Sequence, residues 1–366
     1  MMYFLYHYRT TWSAFNVFYY ITFRSIAAAV TSFLLSLMFG NYVIRRLIGL
    51  KAGQPIRTAA QVRELAALHG GKAGTPTMGG VLLLGTVVVS TLLWARLTNH
   101  AVWLALFTII YLGLLGFADD YLKVTKKQSA GVHGRVKMAA QLVLAAVVTA
   151  FFLLDPSTEV QARALYVPFY KEPMIVNLGW ATFFFFALVV VGTSNAVNLT
   201  DGLDGLATGC TVTAALAFAV LAYVAGNIKI SSYLQIPFYP FTGELTVVCM
   251  ALAGSGLGFL WFNCHPARVF MGDTGSLAIG GVLGVVAICC KQELLLLVVG
   301  GVFVMEALSV ILQVASFKLT GKRIFAMSPI HHHFELKGWK ENTVIVRFWI
   351  LSIMFAALGL ATLKLR

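Results

Sequence analysis

The chain contains about ten long apolar stretches separated by short polar segments. A helix needs about 20 consecutive apolar residues to cross the hydrocarbon core of a bilayer, and a soluble protein has no use for many such stretches. They lie near residues 21–44, 77–97, 101–118, 138–154, 179–196, 207–226, 244–262, 276–290, 293–317 and 343–363. Because backbone polar groups in lipid need internal partners, this pattern predicts an all-α, polytopic integral membrane protein with about ten transmembrane helices.

The composition supports the same class of protein. Only 11% of the 366 residues are charged and 59% are hydrophobic, whereas a soluble domain has roughly 25% charged residues. The first apolar stretch is longer than the core of a cleaved signal peptide and contains Arg24, so we expect it to remain as a helix. No nucleic-acid-binding module and no separate soluble domain are recognisable. We therefore predict a single transmembrane domain over residues 1–366.

Lysine and arginine are concentrated in alternate loops. If the apolar stretches alternate in direction, one face of the membrane holds the loops near residues 45–76, 119–137, 195–206, 263–275 and 318–342. The opposite loops contain only the basic residues Arg96, Arg163, Lys171, Lys229 and Lys291. By the positive-inside rule, the first face is cytoplasmic and both termini are periplasmic. The net charge of +13 also favours anionic lipids and phosphorylated substrates.

Five of the six aspartates lie at the predicted cytoplasmic ends of the apolar stretches: Asp119, Asp120, Asp201, Asp204 and Asp273. Two adjacent carboxylates at the C-terminal end of a helix repel each other and oppose the helix dipole, which indicates a ligand between or beside them. Carboxylates without nearby histidine or cysteine suit Mg²⁺ or Mn²⁺ rather than zinc. We predict an active site at the cytoplasmic face that holds Mg²⁺, with a solvated helix end as the alternative for any single carboxylate.

Two further polar segments lie on the same predicted face. The glycine-rich segment "GGKAGTPTMGG" contains Lys72 just before the second apolar stretch, where phosphate binding and a flexible loop are both open. The segment "SPIHHHFELKGW" contains His331, His332 and His333. Consecutive histidines point in different directions, so roles as phosphate donors or acid–base groups fit better than one metal site, with a solvated loop as the alternative.

Two classes of function fit these features. One is an enzyme that handles a phosphorylated soluble substrate and a lipid at the cytoplasmic interface. The other is an ion-coupled transporter with a carboxylate site. Transporters place such sites near the middle of the membrane, commonly between internal repeats. Because the aspartates gather at one face and no repeat is visible, the pattern favours the enzyme.

Several motifs, in order, carry a resemblance to a known family: "GTPTMGG", "FADD", "NAVNLTDGLDGLA", "GFLWFN", "VFMGDTGS" and "PIHHHFELKGW" followed by "VIVRFW". They resemble those of the phospho-N-acetylmuramoyl-pentapeptide transferases, in the superfamily of polyprenyl-phosphate N-acetylhexosamine-1-phosphate transferases. The similarity runs from about Phe15 to the C-terminus. The aspartate motifs are shared across the superfamily, whereas the histidine motif indicates the muramoyl-pentapeptide branch; the sister branch uses UDP-N-acetylglucosamine.

The resemblance implies a function and its partners. UDP-N-acetylmuramoyl-pentapeptide and undecaprenyl phosphate would give lipid I and UMP in peptidoglycan synthesis, with Mg²⁺ required. The enzyme would be a homodimer in the bacterial inner membrane. The implied catalytic residues are Asp119, Asp120, Asp273 and His332, with Asp273 the metal ligand. The implied substrate-binding residues are Lys72, Asn195, Asn198, Asp201, Gly202, Leu203, Asp204, Asn263, Phe270, His331 and His333.

The chemistry of the acceptor favours a one-step mechanism. A phosphate monoester has a second pKa of about 6, so a lipid phosphate is already an anion near neutral pH. We therefore expect it to attack the sugar-linked phosphate directly, with Asp119 aiding deprotonation or alignment. The alternative is a two-step mechanism in which an aspartate forms a covalent intermediate. Asp201 and Asp204 are expected on the nucleotide and phosphate side of the site, which leaves the metal chiefly to Asp273.

Overall fold

The computed structural model describes residues 1–50, 74–126 and 131–364. The described residues form fourteen α-helices: α1 Ile21–Gly49, α2 Gly80–Trp94, α3 His100–Lys126, α4 Gly134–Leu153, α5 Pro156–Arg163, α6 Ala181–Thr200, α7 Leu206–Ala225, α8 Ile228–Leu234, α9 Leu245–Asn263, α10 Gly272–Cys289, α11 Glu293–Val299, α12 Gly301–Thr320, α13 Ile330–Leu336 and α14 Glu341–Ala361. Short 3-10 helices span Met2–Tyr8, Ser13–Tyr19, Thr242–Glu244 and Thr362–Lys364. Within these ranges the extended backbone pairs only at an isolated bridge between Leu165 and Ile175.

Each predicted apolar stretch contains a helix. Over the described parts of the chain, nine helices are long and apolar enough to cross a membrane. Helix α2 is apolar but has only 15 residues, which makes it about 22 Å long, against a hydrocarbon core of about 30 Å. The prediction of an all-α, multi-pass membrane protein is confirmed.

Helix α10 lies at the centre of the bundle, and every residue from Thr274 to Cys289 is buried. It packs against α3 and α6. Its glycines face both neighbours: a side chain at Gly281 would meet Leu112 of α3, and one at Gly280 would meet Thr193 of α6. Small residues let helix backbones approach closely. The start of α10 is thereby held beside residues of α3 and α6.

The predicted stretch over residues 293–317 is not one helix. It is divided at Gly300, which ends α11 and precedes α12. Gly300 and Gly301 are adjacent and lack side chains, and glycine is among the least favourable residues inside a helix. The hydrophobicity of the stretch is continuous, so apolar patterning alone does not reveal the break.

The loops predicted at the aspartate-rich end are shorter in the structure because the helices continue into them. Helix α3 runs past Asp119 and Asp120, α6 includes Asn195 and Asn198, and α10 begins before Asp273. These polar residues therefore lie on helical turns rather than on loops. Helical backbone holds their side chains in fixed directions, which favours a preorganised site.

Candidate active site

Three carboxylates from distant parts of the sequence meet at one end of the bundle. Asp119 and Asp120 on α3 and Asp273 on α10 each bring one oxygen within 4.8 Å of the others. Asp119 and Asp120 are buried, and Asp273 is half-buried. The close packing of α3 against α10 makes them one group, which we call the aspartate cluster.

Asp120 caps the N-terminus of α10 from a neighbouring helix. Its Oδ2 accepts hydrogen bonds from the amide of Thr274 at 2.9 Å and from the Thr274 hydroxyl at 2.7 Å, and its Oδ1 accepts one from the amide of Asp273 at 3.2 Å. The amides of a first helical turn need such partners, and negative charge is favoured there. At Gly272 φ is 71° and a Cβ would lie 2.5 Å from Asp120 Oδ2, so this contact requires glycine. Asp120 thereby holds Asp273 in place relative to α3.

Two lysines contact the aspartate cluster. Lys137 Nζ on α4 lies 2.9 Å from Asp119 Oδ1 and 2.7 Å from Asp273 Oδ2. Lys123 Nζ on α3 lies 2.6 Å from Asp119 Oδ2 and 3.2 Å from Asp273 Oδ1. Each ammonium group bridges the same two carboxylates, so Asp119 and Asp273 present oxygens that are already arranged for a cation.

The donors in the aspartate cluster fit a hard divalent cation. Only carboxylate oxygens converge in this group, and such oxygens suit Mg²⁺. Asp119 Oδ2 is buried and, within the described residues, accepts no well-directed hydrogen bond; it faces the Lys123 ammonium instead. Asp120 is engaged by α10, and Asp119 Oδ1 accepts a hydrogen bond from the Val132 amide at 2.6 Å. Asp119 Oδ2 and the Asp273 carboxylate are therefore oxygens that could hold a metal ion.

Asp204 forms a second group with His265 and Glu341. The Nδ1 of His265 lies 3.2 Å from Asp204 Oδ2 and 3.4 Å from Glu341 Oε2. The Asp204 carboxylate also accepts a hydrogen bond from the amide of Ala267 at 3.0 Å, and the Asp204 amide donates one to Glu341 Oε1 at 3.1 Å. These contacts tie the turn after α6 to the end of α9 and the start of α14.

Asp201 connects the turn after α6 to the aspartate cluster electrostatically. Burial, together with the negative charges of Asp273 and Asp120, raises the pKa of Asp201 to about 7, although a hydrogen bond from the backbone of Gly272 lowers it. A carboxyl group that is partly protonated near neutral pH can donate a hydrogen bond to a phosphate oxygen. The neighbouring Leu203 has a buried side chain, so any ligand contact it makes would be through its backbone.

Asn195 and Asn198 join α6 to its neighbours. Asn195 Nδ2 donates a hydrogen bond to Gln141 Oε1 on α4 at 2.9 Å. Asn198 Oδ1 accepts one at 2.7 Å from the hydroxyl of Ser276, which lies on the same first turns of α10 as Asp273. Asn198 therefore lies beside the start of α10, and Asn195 joins α6 to α4, the helix that carries Lys137.

Asn263 and Phe270 differ in their accessibility. Asn263 is buried, donating a hydrogen bond to the Val269 carbonyl at 2.9 Å and accepting one from the Thr208 hydroxyl at 2.8 Å. A ligand contact at Asn263 would have to replace one of these bonds. Phe270 is half-buried, and its amide donates to the Pro76 carbonyl at 2.8 Å, which places it beside the "GTPTMGG" segment.

The three histidines have different surroundings. His331 is fully buried, and its Nδ1 lies 3.1 Å from Glu306 Oε2. His332 is half-buried, and its Nδ1 lies 2.7 Å from Glu335 Oε2. The Nδ1 of His333 accepts a hydrogen bond from the amide of Ala326 at 3.0 Å. The three consecutive histidines therefore have three different partners, and their roles toward a substrate stay a prediction.

Sequence comparisons place the chain among known proteins. A family model described as Glycosyl transferase family 4 matches residues 102–291, and Phospho-N-acetylmuramoyl-pentapeptide-transferase signature 1 matches residues 72–84. The phospho-N-acetylmuramoyl-pentapeptide-transferase of Methylacidiphilum infernorum is 55% identical over 366 residues and covers 100% of both chains. The one from Syntrophus aciditrophicus is 53% identical over 363 residues and covers 99% of both. The chain belongs to the phospho-N-acetylmuramoyl-pentapeptide-transferase family.

Membership of the phospho-N-acetylmuramoyl-pentapeptide-transferase family confirms the resemblance carried by the sequence motifs. The chain is accordingly an enzyme built as a multi-pass membrane protein, with apolar helices of the kind described above. The match over residues 102–291 includes the aspartate cluster and the turn that carries Asp201 and Asp204. The histidine segment lies beyond that match but within the full-length relatives.

Four residues near the aspartate cluster and Asp204 were not predicted from the sequence motifs. Lys123, Lys137, His265 and Glu341 contact the predicted aspartates, although each is distant in sequence from at least one of its partners. Only Lys123 had a local signal, because it lies four residues after Asp119 on the same helix. The predicted substrate residue Lys72 lies outside the described residues, and its role stays a prediction.

Proposed function

We propose that the chain transfers phospho-N-acetylmuramoyl-pentapeptide from its UDP-linked donor to undecaprenyl phosphate, which forms lipid I and releases UMP. The observation that carries this proposal is the convergence of Asp119, Asp120 and Asp273 at one end of the bundle in a chain of this family. Phosphoryl transfer requires charge stabilisation and positioning more than a protein nucleophile. A cluster of buried carboxylates beside lysines suits that requirement.

We place the reaction at the cytoplasmic face of the bacterial inner membrane. The basic loops support this orientation through the positive-inside rule, and the UDP-linked donor is water-soluble. The aspartate cluster, the turn containing Asp201 and the histidine segment share this end of the bundle. Peptidoglycan and cell-wall synthesis, both termini in the periplasm, and a homodimer belong to the same proposal.

The chain's own residues account for substrate positioning. Asp119 and Asp273 would hold Mg²⁺, which supplies neutralisation of phosphate charge when bound. Lys123 and Lys137 would be released to contact phosphate oxygens. Asp120 keeps Asp273 at the start of α10. The lipid phosphate then attacks the sugar-linked phosphate, the bond from that phosphorus to the UMP oxygen breaks, and UMP leaves.

Other predicted residues would hold the donor. Asp201 and Asp204 would face its nucleotide and phosphates, and Phe270, half-buried, is available to stack on uracil.

Asn195 and Asn198 would border the pyrophosphate. His332, as the proposed catalytic histidine, and His333 would contact the sugar or its phosphates. His331 is fully buried, so it would reach them only if the turn that holds Gly202 moved away from its ring. Lys72 and Asn263 would complete the nucleotide side.

A purified assay for UMP release tests the proposal with two donors. We expect release with UDP-N-acetylmuramoyl-pentapeptide, undecaprenyl phosphate and Mg²⁺, and none with UDP-N-acetylglucosamine. Turnover of only the second donor would assign the chain to the sister branch. Release with neither donor would contradict the enzyme assignment and restore the ion-coupled transporter. Trapping of a phospho-muramoyl enzyme without the lipid would replace one-step attack with a covalent mechanism.

A further inference from the structure

A buried carboxylate on α12 lies against the histidine segment. The side chains of Glu306 and His331 both have 0% exposure, and Glu306 Oε2 lies 3.1 Å from His331 Nδ1. Among the described residues, no hydrogen bond of good geometry reaches either Glu306 oxygen or either nitrogen of His331. The contact is therefore a close approach of two buried polar groups.

Burying these two polar side chains costs free energy unless a partner compensates for the hydration that they lose. An isolated carboxylate or imidazole in a low-dielectric interior loses its hydration, and removing one member of a buried pair leaves the other uncompensated. Helix α12 exposes mostly apolar side chains, and Glu306 is its only acidic residue. Glu306 and His331 consequently hold each other in place.

The contact also sets the direction of the His331 ring. When Nδ1 of an imidazole faces a carboxylate, Nε2 points away from it, as in other carboxylate–histidine pairs. Here Nε2 faces Gly202, because a Cβ built on Gly202 would overlap this nitrogen and lie 2.7 Å from Cε1 of the same ring. Gly202 belongs to the turn that carries Asp201 and Asp204. Glu306, His331 and Gly202 thus connect α12 to that turn.

Helix α12 also holds the chain just before the histidine segment. Gln313 Oε1 accepts hydrogen bonds from the amides of Ile324 and Phe325, both at 3.0 Å, and Gln313 Nε2 donates to the Phe325 carbonyl at 2.9 Å. Glu306 and Gln313 are seven residues apart and share one face of the helix. The ring of His332 lies 4.1 Å from that of His331, centroid to centroid, so moving His331 would move its neighbour.

We propose that Glu306 is a positioning residue for the transfer reaction: its carboxylate orients His331 against Gly202 and so sets the histidine segment relative to the turn after α6. This inference rests on the proposed function. Glu306 itself would touch no substrate, because it is fully buried behind His331.

The test compares Glu306→Gln, Glu306→Asp and Glu306→Leu in the full-length protein. Gln keeps the size of the side chain but removes its charge. We expect kcat for UMP release to fall about tenfold to a hundredfold, the range found when the partner that orients a metal-binding histidine is removed. KM for the UDP-linked donor should change much less. Glu306→Asp retains the charge and should recover part of the lost kcat, whereas Glu306→Leu should not.

The matched control is Glu172→Gln, the same chemical change at an exposed residue, which should leave kcat and KM unchanged. A merely structural Glu306 would lower the melting temperature while leaving kcat per folded molecule unchanged, and that result would overturn the proposal. Wild-type kcat in Glu306→Gln would overturn it as well. Should Glu306→Gln not fold, the comparison of Glu306→Asp with wild type decides by the same criterion.

A second measurement does not depend on turnover. In protein with ¹⁵N-labelled histidine, the His331 ring resonances are assigned by their loss in His331→Asn. We expect Glu306→Gln to shift them and Glu172→Gln to leave them in place; unchanged resonances in Glu306→Gln would remove the basis of the inference. If wild type releases no UMP from either donor, the proposed function fails, while this spectrum still tests the Glu306–His331 contact.

Discussion

Buried charged side chains are paired differently at the two ends of the helix bundle. At the end away from the aspartate cluster, Arg24 and Glu244 form a two-pronged ion pair with contacts of 2.7 and 2.6 Å. Lys291 and Glu293 form a second buried pair at 2.7 Å. Each positive charge has one negative partner, and Glu244 also accepts a hydrogen bond from the Arg96 amide at 2.9 Å.

At the other end, three carboxylates of the aspartate cluster face only two lysines among the described residues. Their charges do not balance, and Asp201 adds another acidic group nearby. Balanced buried pairs suit a structural role, since little is gained by adding an ion. An excess of buried negative charge instead favours the arrival of a cation. This contrast can be tested by changing one charge at a time.

The largest expected effect is at the centre of the aspartate cluster. Asp273→Asn removes a metal ligand without changing side-chain size, so UMP release should fall roughly a thousandfold or more, as when strong charge stabilisation is lost from an active site. The melting temperature should stay close to that of wild type. The matched control is Asp155→Asn, at an exposed aspartate that caps α5, for which we expect nearly normal turnover. Near-normal turnover in Asp273→Asn would contradict the metal assignment.

The opposite end should respond in stability rather than in catalysis. Arg24→Met leaves Glu244 buried without its partner, which costs about 3–5 kcal/mol for a broken buried pair. We expect a lower unfolding midpoint in detergent and unchanged kcat per folded molecule. Arg24→Met combined with Glu244→Leu should recover part of the stability. A large loss of kcat in folded Arg24→Met protein would show that the two ends are not independent.

Lys137 offers a smaller and more specific change. Lys137→Gln removes an ammonium group that lies against the predicted metal ligands, so metal-free protein should be less stable and Mg²⁺ should bind at lower concentration. Two unit charges about 4 Å apart interact by about 4 kcal/mol near a protein surface, and a screened fraction of this is still roughly tenfold in affinity. A Mg²⁺ titration of the thermal midpoint measures it, with exposed Lys171→Gln as control. Weaker Mg²⁺ binding in Lys137→Gln would mean that Lys137 helps to build the metal site.

The smallest effect concerns pH. The pKa of Asp201 is about 7 in the folded protein, above its ordinary value of 3.8. The folded state therefore keeps a proton that the unfolded state releases, and the resulting stability is complete below about pH 4 and is lost as pH rises through 7. In metal-free protein, Asp201→Asn should show a weaker decline of the thermal midpoint between pH 5 and 8 than wild type. Identical slopes would contradict the raised pKa.

Local patterning predicted most of the helices but not their ends. Apolar length was sufficient to find α3 and α10, yet both extend into segments predicted as loops. The reason lies in tertiary partners: Asp120 satisfies the free amides of α10, and Lys123 pairs with Asp119 on α3. Neither the break at Gly300 nor the shortness of α2 alters the apolar pattern enough to be read from it.

The candidate site was predictable where its residues form short motifs. Asp119, Asp120 and Asp273 were found because carboxylates are rare in this chain. Lys137, His265 and Glu341 were missed because nothing in their local sequence distinguishes them from basic or acidic residues of any loop. Their importance comes from distances to residues on other helices.

The sequence by itself determined the class of protein, the family and the set of acidic residues, because hydrophobic length and short motifs are local properties. The tertiary structure alone decided which charges meet: Asp120 as the cap of α10, two lysines against Asp119 and Asp273, and Glu306 behind His331. Those contacts depend on how closely the helices pack, and a glycine-lined approach such as that of α10 to α3 involves residues more than a hundred positions apart. Electrostatic energy depends on distance in space, which the order of residues does not specify.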